Sequence, residues 1–371
     1  MDLKILSNIE QEGRIKRESY TPSIFNLKKK KDMAMVLSLA KENKIIEVSD
    51  KFNEQVEEFE AVTNLGKRSS LHANKIRKLS NHKEGRWVYF PWRFALIHIL
   101  NDKAFNILRS SRNKNLIFKK EQTKYANAKI GIAGLNVGNP AALCIALEGG
   151  GRFMKFADND MLSLSNLNRF RSSIIELGVN KAILSARQVY EIDPYYKIEV
   201  FVKGIILGKI REFLMKPKID VLVEEMDNLP LKIEIREEAR RNGIPVVMVT
   251  GNGEDVIIDI ERFDQDQKLS LLNGYLNPTI IKTIKDGSLN VMNVQQKASL
   301  ARDFMGGKFL TKRLRNSFNL VGTKLVGIPQ IAESSFLRGA AVAYCVRQIV
   351  TGEKLTSGRY FLKLSDIGIE K

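Results

Sequence analysis

The sequence predicts an α/β protein whose main part is a doubly wound, Rossmann-like and mostly parallel sheet. Apolar strand segments alternate with helical segments over residues 128–250, which is the pattern of βαβ units. The first of these strands ends in a glycine-containing turn, and acidic residues follow the next apolar strands. Right-handed crossovers place helices on both faces, so functional side chains should collect at the carboxyl ends of the strands.

Residues 1–104 are predicted to form a small N-terminal α+β unit. Helical spacing of apolar residues covers 33–44 and 52–64, a strand is expected at 44–50, and the aromatic segment 86–100 should form strands that break at Pro91.

Residues 105–260 carry the alternating pattern, and residues 261–371 are expected to complete the same domain with helices and strands. After a strand at 129–134, we expect a turn over 134–140 and a helix over 141–150. The further strands are predicted at 152–158, 197–204, 220–227, 245–250 and 256–264, and the further helices at 180–192, 229–243 and 334–350, before a closing strand at 357–367.

Composition narrows the class of partner. The 371 residues include 60 Lys and Arg against 42 Asp and Glu, a formal net charge of +18, which favours acidic partners. The only dense basic run, Lys28 to Lys31, has no interleaved aromatic residues, so we expect no nucleic-acid partner. The N-terminus has no apolar core and no stretch is long and apolar enough for a membrane span. With only two cysteines, the expected location is the cytoplasm.

The turn after the first strand of the alternating region is the first candidate binding feature. Gly134 and Gly138 stand where a strand opens into a helix, although Asn136 occupies a position where a glycine is usual. Asp158 follows the next strand and is placed to accept hydrogen bonds from ribose hydroxyls. These residues support a bound nucleotide and leave open which one, since NAD would also suit an acid after a glycine turn.

The loop that follows favours a triphosphate. Arg can bind phosphate oxygens with two parallel hydrogen bonds, and Lys supplies a point charge. Asp227 ends the next apolar strand, and an acid there is a natural Mg²⁺ ligand facing the phosphates. The polar and basic side chains of this loop are Asn166, Asn168, Arg169 and Arg171, with Lys181 at the start of the next helix.

These residues resemble a known family. The segments GIAGLNVGNPAALCIALEGGGRFMKFADNDMLSLSNLNRF, LGVNKA and EEMDN are similar to the ThiF/MoeB superfamily, bacterial relatives of ubiquitin-activating enzymes. The order of motifs looks nearest to a ThiF subgroup sometimes fused to a nitroreductase-like domain. The resemblance implies a homodimer that uses Mg-ATP to adenylate a carboxylate, on a small molecule or at the C-terminus of a peptide or ubiquitin-like protein, and releases pyrophosphate.

The resemblance also implies roles for individual residues. Arg112 resembles an arginine that, in superfamily members, extends across the dimer interface toward the γ-phosphate. Arg109 could serve instead. The expected nucleotide-binding residues are Gly134 and Gly138 close to the nucleotide, Asp158 at the ribose within the Asp158-x-Asp160 turn, Asn166, Arg169 and Lys181 at the phosphates, and Asp227 at magnesium.

The sequence departs from the family in ways that limit the expected chemistry. The paired C-x-x-C motifs are missing, so no structural zinc is expected, and His72, His82 and His98 show no ligand spacing. Cys144 and Cys345 lie in apolar helices, so no thioester-forming cysteine is expected. Two alternatives stay open, an NAD-dependent oxidoreductase and a non-catalytic nucleotide-binding protein that kept the sheet and lost the chemistry.

Overall fold

The computed structural model describes residues 18–64 and 85–366. The expectations for the extreme N-terminus, for His72 and for His82 therefore lie outside the described residues. Contacts divide the chain into two compact units. The first holds the described residues up to Thr123 together with Ala186–Tyr196, and the second holds Lys124–Ser185 and the described residues from Lys197 onward. The predicted division at 104 and 260 stays a prediction.

The first unit contains a four-stranded sheet in the order β1-β3-β4-β2. β3 pairs antiparallel with β1 and β4, and β2 pairs parallel with β4. His98 on β4 is buried and stacks between the rings of Phe52 and Trp87, with centroid distances of 4.3 and 4.5 Å. The strands of the first unit are Ser23–Phe25 (β1), Glu47–Asp50 (β2), Arg86–Phe90 (β3) and Ala95–Ile99 (β4). Its helices include Lys30–Lys41 (α1), Phe52–Thr63 (α2) and Asp102–Arg109 (α3).

The second unit is built on a seven-stranded sheet in the order β11-β10-β9-β8-β5-β6-β7. The five strands from β9 to β7 are parallel, and β10 and β11 add two antiparallel strands beside β9. Strand order therefore reverses beside β5, as the doubly wound prediction requires. The strands are Lys129–Ala133 (β5), Phe153–Ala157 (β6), Lys197–Phe201 (β7), Val221–Glu224 (β8), Val246–Asn252 (β9), Asp255–Glu261 (β10) and Gly358–Leu362 (β11).

Helices connect and cover these strands, and every predicted strand and helix of residues 129–264 has its counterpart. Lys119–Asn127 (α4) precedes β5, and α6 spans the boundary between the two units. The others are Leu135–Leu147 (α5), Lys181–Ile192 (α6), Ile210–Met215 (α7), Leu229–Arg241 (α8), Pro278–Lys285 (α9), Val294–Phe304 (α10), Lys312–Phe318 (α11) and Ala332–Thr351 (α12).

The start of α5 corrects one prediction. The expected turn over 134–140 is helical from Leu135, and Pro140 lies inside the helix. Nearly all of α5 is buried, so packing outweighs the hydrogen bond that Pro140 cannot donate. α12 packs directly against this part of α5: a Cβ added at Gly339 would lie only 2.6 Å from the Cβ of Pro140.

A buried ionic network fixes the end of β8. Glu224 accepts hydrogen bonds from Lys232 at 3.0 Å and from Arg236, and Arg236 donates to Glu261 at 2.8 Å. Both carboxylates and Arg236 are fully buried. Removing one member would leave buried charge without a partner, so the network holds β8 in position beside β5.

No helix among the described residues is long and apolar enough to cross a membrane.

Candidate nucleotide-binding site

The connection between β5 and α5 begins at Gly134. Its φ of +89° belongs to the region that glycine tolerates best. A Cβ at this position would also lie 2.4 Å from the carbonyl oxygen of Glu225, which follows β8. The chain therefore needs glycine here both for the turn and for the close approach of two neighbouring strand ends. Gly138 lies one helical turn further on, buried against Ile132.

Asp158 follows β6 and braces the start of α5. Its Oδ2 accepts a hydrogen bond from Leu135 N at 2.6 Å, and its Oδ1 accepts one from Asp160 N at 2.8 Å. Burial raises the pKa of this carboxyl, while the two backbone N–H groups oppose the shift. The carboxylate thus lies at the amino end of α5, where backbone N–H groups and the helix dipole favour a bound anion.

Asp160 and Lys181 form the next pair along this edge. The Nζ of Lys181 lies 2.9 Å from Oδ2 of Asp160, with the lysine side chain 5% exposed and the aspartate 59% exposed. Asn180 supports the pair by donating to the carbonyl oxygen of Asp158 at 2.9 Å. Asp160, which water or a ligand can reach, therefore holds the Lys181 ammonium group where it acts on the Asp158 carboxylate.

The loop that carries Asn166 and Arg169 lies between β6 and α6. Asn166 is buried and caps a short turn, since its Oδ1 accepts from Ser163 N at 3.1 Å. Arg169 donates to the Asn168 side chain at 2.8 Å and to the Ser165 carbonyl at 3.0 Å. Its Nε is buried without an acceptor in the described part of the chain. The loop thus holds a guanidinium group with unused donor capacity.

Arg169 and Asp227 interact electrostatically although 58 positions separate them in the sequence. Burial lowers the Arg169 pKa, and the exposed Asp227 opposes this shift. Two further charged groups join them. Arg338 on α12 interacts with Glu225, Arg169 and Asp227. Burial raises the pKa of Glu225 to about 8, and its Oε1 accepts from Val249 N at 2.7 Å.

The structure thus brings most of the predicted residues to one edge of the sheet. Gly134, Asp158, Asp160 and Lys181 form one cluster there, and Arg169 and Asp227 form a second. The backbone of Gly134 lies against that of Glu225 and so joins the two. The side chain of Asn166 acts locally as a cap. Arg112 is exposed on the turn Ser111–Asn113 of the first unit, and its role stays a prediction.

Sequence reasoning missed Arg338 and Glu225. Arg338 interrupts an otherwise apolar run on α12, and Glu225 belongs to the EEMDN segment beside Asp227. A lone arginine in an apolar helix is the signal that could have been noticed, because a buried guanidinium requires a polar or anionic neighbour.

The two cysteines, Cys144 and Cys345, are free thiols. Burial raises the pKa of both thiols, that of Cys345 to about 12. Within residues 18–64 and 85–366, no group of three or more His, Cys, Asp or Glu side chains could hold a metal ion by itself.

The second unit is a Rossmann-like fold with a cluster of charged side chains at the carboxyl ends of its strands, which is where such folds bind ligands. Residues 110–255 match the ThiF family, so the chain is similar to that family over this segment. The chain is 32% identical over 334 residues to the uncharacterized protein MT1398 of Mycobacterium tuberculosis (strain CDC 1551 / Oshkosh), covering 90% of this chain and 44% of that protein.

A second relative matches over a shorter stretch. The chain is 28% identical over 100 residues to a probable molybdopterin-synthase adenylyltransferase of Porphyra purpurea, covering 27% of this chain and 25% of that protein. The chain therefore spans less than half the length of these curated relatives. Among solved structures, E. coli MccB with ATP matches with a TM-score of 0.49 at 15% identity over 86% of each chain. PaaA matches with a TM-score of 0.48 at 17% identity over 71% of this chain and 68% of its own.

Proposed function

We propose that this protein is an ATP-dependent adenylyltransferase that activates a carboxylate. The carboxylate attacks the α-phosphate, an acyl-adenylate forms, and pyrophosphate leaves. The observation that carries the proposal is the electrostatic interaction of Arg169 with Asp227 at the carboxyl edge of the sheet, within the segment that matches the ThiF family. A cation and an acid from two separate strand ends fit a polyphosphate and its counter-ion better than they fit a dinucleotide.

In this proposal the nucleotide lies along the edge from β6 to β8. Asp158 accepts hydrogen bonds from the ribose hydroxyls, and the amino end of α5 faces the phosphates together with Gly134. Lys181 and Arg169 then offset the negative charge that gathers on the phosphates during attack. Such a reaction depends mostly on positioning and on charge stabilisation, so no cysteine nucleophile is required for it.

Asp227 is the residue proposed to hold Mg²⁺. It is exposed after β8 and lies within electrostatic reach of Arg169. Mg²⁺ is commonly bound by one or two carboxylates plus substrate phosphates and water, so a single acid fits this ion when the nucleotide supplies the other oxygens. When bound, the ion would neutralise charge on the phosphates.

The acceptor is proposed to be a carboxylate on a small molecule or at the C-terminus of a peptide or ubiquitin-like protein. We further propose that the protein acts as a cytoplasmic homodimer in which Arg112 of one subunit serves the site of the other. Arg109 is the alternative arginine, and its guanidinium lies 3.5 Å from Asp193.

Pyrophosphate release tests the function. Wild-type protein is incubated with ATP, Mg²⁺ and pools of small carboxylic acids or of peptides with free C-termini, and products carrying AMP are identified by mass spectrometry. Pyrophosphate should appear with at least one pool. Arg169→Ala and Asp227→Ala should each slow it by about 30- to 1,000-fold, because one lost contact to the transition state costs about 2–4 kcal/mol.

The matched control is Arg241→Ala. Arg241 is the last residue of α8, at the opposite edge of the sheet, and pairs with Glu238. Its loss should leave pyrophosphate release unchanged. Wild-type rates in both Arg169→Ala and Asp227→Ala would refute the assigned roles. Binding of ATP with no product from any pool would favour a non-catalytic nucleotide-binding protein, and stabilisation by NADH but not by ATP in a thermal-shift assay would favour an oxidoreductase.

A further inference from the structure

Arg338 lies at the same edge of the sheet, on a helix outside the residues that match the ThiF family. It is 4% exposed and belongs to α12. A Cβ added at Gly251, near the end of β9, would lie 3.3 Å from its Cζ. The guanidinium group therefore sits at the carboxyl end of β9, one strand beyond the Asp227 position.

Hydrogen bonds join the α12 region to the loop that carries Arg169. Asn168 Nδ2 donates to the Gln330 carbonyl oxygen at 2.8 Å, and the Ser335 hydroxyl donates to the Arg169 carbonyl oxygen at 3.1 Å. These bonds fix the two arginines as neighbours. Burial lowers the Arg338 pKa; Glu225 and Asp227 oppose this lowering, and repulsion from Arg169 adds to it.

Neither arginine has a close acidic partner. Among the described residues, no carboxylate oxygen lies within 4.0 Å of either guanidinium group. Within the described part of the chain, the hydrogen bonds of Arg338 are long, from Nε to the Ser334 carbonyl oxygen at 3.3 Å and from Nη2 to Gln330 Oε1 at 3.5 Å. Arg169 Nε has no acceptor in the same part of the chain. Glu225 and Asp227 act on these arginines only at longer range, and a buried cation is costly unless an anion contacts it directly.

We propose that Arg338 is a second phosphate-binding arginine, which with Arg169 binds the β- and γ-phosphates of the nucleotide. This inference rests on the proposed function. It assigns a binding residue from α12, which follows the ThiF-matching segment by more than seventy positions.

The spacing along the sheet favours the distal phosphates over the acceptor carboxylate. Asp158 follows β6, and β5 and β8 lie between β6 and β9. Strands lie about 4.8 Å apart, so the ribose position and the end of β9 are separated by about 14 Å. An extended polyphosphate is needed to approach that distance from the ribose. A single carboxylate would also neutralise only one of the two adjacent guanidinium groups.

Titration calorimetry with ATP, AMP and inorganic pyrophosphate tests the inference. Arg338→Gln should weaken binding of ATP and of pyrophosphate by about tenfold or more, since a charge-assisted and bidentate contact is lost. Its affinity for AMP should change less than twofold, because AMP lacks the distal phosphates. Normal AMP binding by the variant also shows that it is folded.

Arg347→Gln is the matched control, since Arg347 lies on the same helix and its Nε is 3.7 Å from Glu148. It should bind all three ligands as the wild type does. The inference is overturned if Arg338→Gln affects ATP and AMP equally or affects neither. If Arg338→Gln does not fold, Arg338→Lys decides instead, and an unchanged ratio of ATP to AMP affinity would overturn the inference. A wild-type protein that does not bind ATP would overturn the proposed function together with this inference.

Discussion

The Asp158 carboxylate offers a sharp test of how the nucleotide is held. Asp158→Asn keeps the shape of the side chain but replaces one acceptor oxygen by an NH₂ group. Because the two oxygens accept from Leu135 N at 2.6 Å and from Asp160 N at 2.8 Å, one backbone N–H must lose its acceptor. That loss should lower the free energy of unfolding by about 1–3 kcal/mol.

The same substitution should remove recognition of the ribose. A hydrogen bond to a charged group contributes about 1.5–3 kcal/mol, which corresponds to about 10- to 150-fold in Kd. Titration calorimetry should therefore show that the wild type prefers ATP to 2′,3′-dideoxy-ATP by at least about tenfold. Asp158→Asn should bind both nucleotides with similar, weak affinity. A variant that keeps the full preference for ATP would refute the ribose role.

The pH dependence of binding provides a second readout of Asp158. Burial raises the pKa of this carboxyl, and the ionised form is the one that accepts hydrogen bonds from the ribose. ATP affinity should therefore fall as pH decreases through this raised pKa, and the fall should be missing in Asp158→Asn. The effect on stability has the opposite sign. A raised pKa in the folded state favours folding below the pKa of the unfolded chain, and this contribution is lost as pH rises through the folded pKa.

Two further predictions concern the close approach at Gly134 and the burial of Cys345. Gly134→Ala should lower the free energy of unfolding in urea by more than the roughly 1–2 kcal/mol expected for positive φ alone, because its Cβ would meet the Glu225 carbonyl oxygen. Gly208→Ala is the control, since its φ of +80° is similar but no atom lies within 4 Å of an added Cβ; equal losses would contradict the close-approach argument. Burial raises the pKa of Cys345 to about 12, so its thiol should stay unmodified by iodoacetamide in the folded protein at pH 8 and react after denaturation. Mass spectrometry that showed equal modification in both states would contradict its burial.

The order of strands and helices could be predicted from sequence because the period of apolar residues changes cleanly between strand and helix. The strands at β5, β6, β8 and β9 are short, mostly apolar runs, and the acids that follow β6 and β8 mark one edge of the sheet. The start of α5 could not be predicted. Pro140 normally indicates a helix boundary, and only the tight packing of α12 against it explains why the helix continues.

The candidate site could be predicted where it is local in sequence or where sheet topology brings strand ends together. Asp158 and Asp160 follow β6 and Lys181 begins α6, so one stretch of sequence predicts all three. The meeting of Arg169 with Asp227 rests on the rule that carboxyl ends of parallel strands share an edge. Arg338 reaches that edge through tertiary packing of a distant helix, and no periodicity in the sequence encodes such a contact.

The place of α12 and β10 has a practical consequence for shortened versions of the chain. A fragment trimmed to the ThiF-matching segment would end at residue 255, before nearly all of β10 and all of α12. β9 would then become an open border strand with unpaired backbone groups, which invites aggregation, and the apolar flank of α5 that α12 covers would face water. A recombinant fragment should therefore keep the polypeptide through β11, because the segment that matches the family is smaller than the sheet and helices that pack together.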